Sequence, residues 1–286
     1  MIKLMIDSAA DISEQEAKEK GIVMIPMLIT VGMEEFYDGV DLYPQEFWEK
    51  LIESDVLPKT SLINAFRFEE AFEEHTRNGE ELIVITISSK LSGTYASARQ
   101  AAEKFAGKVH VIDSMNACVG ERLLCDYALR LVQQGLSVQE IVDELEEKKK
   151  QIKVMALLGT LEYLKRGGRI SNAVAFAGEM IALKPVVGVV NGEVKLIGKA
   201  IGPRKGNNLL SRLVQESGGI DFSMPFATIW SGLDTSLLDK YIKDSASLWE
   251  GNTEFIPKHI LGATIGTHVG PGAVGVAFFE KKGKVQ

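Results

Sequence analysis

The stretch SSKLSGT, residues 88–94, sets Ser92 and Gly93 at the start of a segment in which Tyr95, Ala98, Ala101, Ala102 and Phe105 recur at helical spacing. The first turn of a helix leaves backbone N–H groups unpaired, and those amides together with the helix dipole favour an anion. Gly93 would let a ligand approach the backbone closely, while the Ser92 hydroxyl either caps the helix or reaches an acidic head group, two roles that are compatible. A second chemical residue, His268, lies among the glycines of GTHVGPGAVG just before an apolar, strand-like run. Ser92 and His268 could in principle be nucleophile and base of an esterase or acyltransferase, with Asp7 or Asp113 orienting the imidazole. Against that reading, Ser92 sits in K-L-S-G-T and not in the G-x-S-x-G elbow of hydrolases.

Other motifs narrow the chemistry further. Gly270-x-Gly272-x-x-Gly275 has the spacing of a dinucleotide fingerprint, but Pro271 lies inside it and a strand-like run follows where a helix is required. The sequence has no GK[ST] phosphate loop, so neither dinucleotide nor ATP is expected as a cofactor. His75, His110, His259 and His268 show no ligand spacing with each other or with Cys118 and Cys125, and no metal site is expected. The two cysteines, seven apart in one helical segment, read as buried thiols of a reducing compartment. A net charge of −7 argues against nucleic acid as a partner. Asp7 and Asp11 fall where a secretory signal needs an unbroken apolar region, so a cytoplasmic location is expected. The apolar stretch AVAFAGEMIAL from Ala173 is broken by Glu179 and too short to span a bilayer, so no membrane span is expected.

These residues need a scaffold. At 286 residues the chain exceeds the size to which one core usually grows, which favours two domains. Short apolar runs at 2–6, 23–29, 82–87 and 109–112 alternate with amphipathic segments, the pattern of βαβ units around a mainly parallel sheet flanked by helices. Leu123, Leu124, Tyr127 and Leu131, then Val138, Ile141, Val142 and Leu145, continue the helical spacing. The charged run ELEEKKKQ ends that helix near residue 151 and sets a join there, giving an N-terminal α/β domain over 1–152 and a smaller, mixed α/β domain over 153–286. The second half reads as VMALL, a short helix, the turn RGGR, a helix from about Asn172, and the strand-like runs VVGVV, EVKLI, FATIW and VGVAFF. Asp7-Ser8, Ser88-Ser89 and Asp113-Ser114 each follow an expected parallel strand. Ligands of open parallel sheets bind beyond the carboxyl ends of the strands, so these pairs should face one crevice, unless they act as ordinary turn and cap residues.

Read together, DSAADI from Asp7, IPMLITVGMEEFYDGVDL from Ile25, KTS at 59–61, SSKLSGTY, IDSMNACVG, LEYLKRGGRIS, KPVVGVVNGEV and IGTHVGPGAVGVAF resemble the DegV family of bacterial lipid-binding proteins, in order and over nearly the whole chain. The resemblance implies a two-domain α/β fold that buries a long-chain fatty acid such as palmitate, with its carboxylate near the strand-end loops. It implies no cofactor and no catalysis by the chain itself. Some members present the acyl carboxylate to a fatty acid kinase, the partner this likeness suggests. Carried over by position, Thr60 and Ser92 place hydroxyls on the carboxylate, with Gly93 beside them and His268 nearby. Ser61 and Arg169 fall at an additional site or at the partner surface. Two departures stand out. The family commonly follows its threonine-serine pair with glutamine and proline, where this chain has Leu62-Ile63. An arginine of the family's basic segment aligns with Ile201, leaving Arg204 and Lys205 as shifted basic residues.

The physics suits such a ligand. About 14 buried methylenes at roughly 0.8 kcal/mol each give about 11 kcal/mol of gross transfer free energy, from which ordering and association subtract several. A carboxylate taken out of water needs hydrogen bonds or a countercharge, which hydroxyls, helix-start amides and a histidine can supply.

Overall fold

The computed structural model describes residues 1–54, 56–170, 183–249, 251 and 255–281. The first half runs β1 (Ile2–Asp7), α1 (Glu14–Lys20), β2 (Ile22–Ile25), β3 (Leu28–Val31), β4 (Glu34–Tyr37), α2 (Pro44–Glu53), β5 (Lys59–Ser61), α3 (Ala65–Thr76), β6 (Glu81–Thr86), α4 (Thr94–Ala102), β7 (Val109–Asp113), α5 (Val119–Gln133) and α6 (Val138–Lys148). The second half runs β8 (Ile152–Leu157), α7 (Glu162–Arg166), β9 (Leu183–Val190), β10 (Glu193–Ile201), α8 (Pro203–Glu216), β11 (Phe226–Trp230), α9 (Ser236–Asp244), β12 (Lys258–Ile260), α10 (Ala263–Val269) and β13 (Val274–Phe279). The expected helix from Asn172 and the stretch from Ala173 lie outside the described residues.

Strands β2, β1, β6 and β7 form a parallel sheet in that order, as the alternation of apolar runs and helices requires. A mixed six-stranded sheet, ordered β10-β9-β8-β13-β11-β12, makes up the second half. One expectation needs correction. The run 23–29 is not a single strand: Pro26 and Met27 separate β2, which extends the parallel sheet, from β3, which joins β4 and β5 in a small antiparallel sheet. Proline cannot donate to a ladder, so the chain changes sheets there.

Both faces of the six-stranded sheet are covered, which explains why its strands read as nearly continuous apolar runs. Along β8, Val154 and Ala156 join the larger core, shared with the parallel sheet, while Met155 and Leu157 join a second core with Leu210, Tyr241 and Trp249. Strand β13 divides in the same way, Ala277 and Phe279 to one side, Val276 and Phe278 to the other. Helix α5 packs on strands of both large sheets and ties the two halves together. Among the described residues no helix is long and apolar enough to cross a membrane.

Candidate functional site

Thr60 lies on β5, opposite Ile29 of β3, and His268 on the last turn of α10. Although 208 positions apart, they meet: Thr60 Oγ1 stands 3.0 Å from His268 Nε2. The sequence sets His268 among glycines just before a strand, and the structure makes that stretch a short helix. Close packing holds it there. A Cβ on Gly167 would sit 2.1 Å from His268 Nδ1, and one on Gly270 would sit 2.2 Å from the Tyr163 ring, so α10 lies directly against α7 and the turn that follows. Burial, helped by the nearby Arg169 guanidinium, pushes the His268 imidazole down to about 4, so it is neutral at pH 7. Its Nδ1 is buried without a hydrogen-bond partner.

Ser92 is not the cap residue of α4; Gly93 holds that position. The Ser92 hydroxyl accepts from Thr94 N–H at 3.3 Å and lies 2.9 Å from Thr94 Oγ1, a local turn just ahead of the helix. Thr94 Oγ1 also accepts the Ile63 N–H at 3.3 Å, fastening the Thr60 loop to the Ser92 loop. A proline at 63 could not make that bond, so Ile63, which is fully buried, replaces the expected proline with a different closure. Leu62 covers Gly93: a Cβ there would lie 2.9 Å from Leu62 Cδ2.

Behind these residues is a cavity of about 270 Å³. Its polar contributors are Thr60, Ser61, Ser92, Thr264, Arg169 and His268, with Gly93 at the same end of α4. The rest of its wall is mostly apolar and comes from both halves of the chain, including Ile87, Ala117 and Cys118 from the parallel-sheet side and Val154, Val187 and Ile229 from the six-stranded sheet. This proportion, a few convergent polar groups on an apolar wall, is that of a small-molecule site. Sequence reasoning could not pick out the wall, since lining and core share one composition.

Arg169, placed by likeness at an additional site or at the partner surface, lines the cavity. Its Nε donates to Leu91 O at 3.2 Å and its Nη1 to Gly167 O at 2.7 Å, joining the Ser92 loop to the turn beneath His268. Arg204 and Lys205 are exposed at the start of α8 and do not line it. The strand-end pairs do not face the cavity either; they fasten the loops. Asp7 accepts from Ala9 N–H at 3.0 Å and Ile87 N–H at 2.8 Å, Asp113 from Ser89 and Met115 amides, and Ser88 Oγ donates to Gly192 O at 2.8 Å. The hydrolase constellation is therefore not assembled, because His268 bonds Thr60, Ser92 bonds Thr94, and Asp7 and Asp113 are engaged elsewhere. Cys118 also differs from its expectation: it precedes α5 as the cap residue, with φ +48°, instead of lying within the helix. Both thiols are free and buried, and among the described residues no cluster of His, Cys, Asp and Glu is arranged to hold a metal ion.

The DegV family model, described as a family of uncharacterised proteins, matches residues 1–281. The chain belongs to the DegV family. A DegV domain-containing protein of Clostridium perfringens is 34% identical over 288 residues, covering 96% of each chain. Another, from Caldanaerobacter subterraneus subsp. tengcongensis, is 32% identical and covers 98% of this chain and 99% of its own. Among solved structures, a DegV family protein from Thermus thermophilus, described by its fatty acid binding, superposes with a TM-score of 0.85 at 28% identity, covering 98% of this chain and 99% of that one. DegV from Bacillus subtilis, described as a fatty acid binding protein, gives 0.82 at 27% identity, with the same coverage. The α/β architecture described above is thus the DegV fold.

Proposed function

We propose that this protein binds a long-chain fatty acid such as palmitate, its tail in the 270 Å³ cavity and its carboxylate at the Thr60–His268 end. The observation that carries this reading is the Thr60–His268 pair at the polar end of an otherwise apolar cavity, in a chain similar throughout to proteins described as fatty acid binding. Thr60 and Ser92 donate hydroxyls to the carboxylate and Gly93 lets it approach the backbone, with Ser61 at the rim. Arg169, already on the cavity wall, supplies the countercharge that a desolvated carboxylate needs. A neutral His268 donates through one nitrogen only, so the tautomer with its proton on Nε2 is the useful one.

On this reading the protein is a cytoplasmic carrier without catalysis of its own, and the kinase that would receive the acyl carboxylate is its inferred partner. The head-group loops belong to an N-terminal domain over 1–152 and much of the tail-facing wall to a C-terminal domain over 153–286. Exposed Arg204 and Lys205 belong to the surface that such a partner would read.

Denaturing the purified protein and extracting it for mass spectrometry should release about one fatty acid per chain. Thr60→Val and Ser92→Ala should each lose lipid on washing. A chain that carries no lipid and takes up none from a palmitate solution would overturn the reading. Turnover of an ester, abolished by Ser92→Ala, would replace it with a hydrolase.

A further inference from the structure

We propose that Asp38 is a positioning residue for the head-group site: its buried carboxylate seats the first turn of α10 and so holds His268 at bonding distance from Thr60. The inference rests on reading the cavity as a carboxylate site.

Helix α10 has little reason to form by itself. Its seven residues, Ala-Thr-Ile-Gly-Thr-His-Val, include one glycine and four β-branched side chains, and a helix this short is unstable alone. Gly262, at its cap position, has no side chain with which to satisfy the first amides. Asp38, more than 220 positions earlier in the chain, does so instead. One of its oxygens accepts the Ala263 N–H at 3.0 Å; the other accepts the Thr264 N–H at 3.1 Å and the Thr264 hydroxyl at 2.5 Å. Asp11 accepts the Gly262 N–H at 2.7 Å alongside. An anion on helix-start amides is the favourable electrostatic arrangement, and burial at 3% exposure removes water as a competitor.

The grip is transmitted to His268 along one face. Thr264 and His268 are four residues apart, hence stacked one turn apart, and both line the cavity. Asp38 holds Thr264 at one end of that turn, and Thr60 meets His268 at the other. Between them Gly266 lies flat on Phe47 and Trp48, where a Cβ would come within 2.4 Å of the Phe47 ring, and Trp48 Nε1 donates to Leu261 O at 2.9 Å. The segment from Asp38 to Trp48 therefore clasps α10 at its start and its middle. A hydrogen bond of 3.0 Å tolerates about half an ångström of drift before it is lost, so a small release at Thr264 is felt at His268.

The test is a double-mutant cycle on the full chain: Asp38→Asn, His268→Gln and the pair, read as palmitate affinity well below the unfolding midpoint and as the side-chain ¹⁵N–¹H signals of His268. Asp38→Asn should weaken palmitate roughly tenfold, about the value of one hydrogen bond, and shift or broaden the His268 signals. In the absence of the histidine side chain the same change should weaken binding by less than twofold, because Asp38 acts through it. Full additivity, or unchanged affinity in Asp38→Asn, overturns the proposal. Should that variant not fold, Thr264→Val, which removes only the hydroxyl held by Asp38, is read by the same criteria. If His268→Gln alone leaves palmitate affinity unchanged, the head-group reading itself is wrong and the proposal falls with it.

Discussion

Gly167 offers the sharpest test of how the site is built. It ends α7 with φ −73°, a conformation open to any residue, so alanine there carries no backbone strain. Its Cβ would nevertheless lie 2.1 Å from Nδ1 and 2.9 Å from Cε1 of His268, and 3.2 Å from the Tyr163 carbonyl oxygen. The carbonyl contact is merely tight, so the imidazole must yield, by at least about 1 Å to reach ordinary contact distance. That displacement breaks the 3.0 Å bond to Thr60 and removes a donor from the proposed carboxylate. The single imidazole N–H makes one bond to a charged group in the complex, which contributes about 1.5–3 kcal/mol, or roughly 10- to 160-fold in palmitate affinity. Neighbouring Gly168 supplies the control. Its φ is +69° with no atom within 4 Å of an added Cβ, so Gly168→Ala should lower stability by about 1–2 kcal/mol and leave affinity alone. Displacement of a fluorescent fatty acid gives affinity, and urea unfolding gives stability. A folded Gly167→Ala protein with affinity within threefold of the parent would rule out this role for the His268 contact, as would an equal loss of affinity in Gly168→Ala.

Burial, with Asp38 adding to it, raises the Asp7 carboxyl from 3.8 to about 7. A raised acid binds its proton more tightly when folded, so the stability Asp7 contributes is full below pH 4, is lost by roughly 4 kcal/mol as pH climbs to about 7, and is flat above. Urea titrations between pH 4 and 8 should show this, and in Asp7→Asn the pH slope should shrink by about one proton. Cys118 holds φ +48° and ψ −139°, a conformation that suits glycine, so Cys118→Gly should be more stable than Cys118→Ala by about 1–2 kcal/mol in urea unfolding, the reverse of the usual order. Burial also pushes both thiols up, so the native protein should react slowly with iodoacetamide; palmitate should slow labelling of cavity-lining Cys118 further and leave Cys125, which does not line the cavity, unaffected.

Where the sequence announced structure, it did so through periodicity that local forces alone explain. IKLMI, LIVITI and VHVI became β1, β6 and β7 within a residue or so, and FATIW and VGVAFF became β11 and β13 without adjustment. The misreading of α10 comes from long-range contact overriding local preference. Helix α10 was invisible because glycine and β-branched residues argue against a helix, and the groups that enforce it, Asp11, Asp38, Phe47 and Trp48, lie more than 200 positions away. The run 23–29 looked like one strand because both of its halves are apolar, although Pro26 interrupts the ladder and β3 then joins a second sheet. Ser92 and His268 stood out by residue type and setting and Thr60 by likeness of blocks, but no spacing in the chain brings β5, the α4 loop and α10 together.

The strand-end rule located the crevice and mistook the role of its polar residues. Ile87, Ala117 and Cys118, in the loops beyond β6 and β7, do line the cavity, yet the carboxylates beside them spend their oxygens on the amides of those same loops. The division has an electrostatic consequence for the proposed ligand. A fatty-acid head group beneath the strand ends would find the nearby loop amides already taken, by Asp7 at Ala9 and Ile87 and by Asp113 at Ser89 and Met115. Turned the other way, it meets neutral hydroxyls, an imidazole and the Arg169 guanidinium. A carboxylate taken out of water needs donors or a countercharge, which that end supplies. By occupying the loop amides, the same acidic residues favour one orientation for the proposed ligand, tail under the strand ends and carboxylate between β5 and α10.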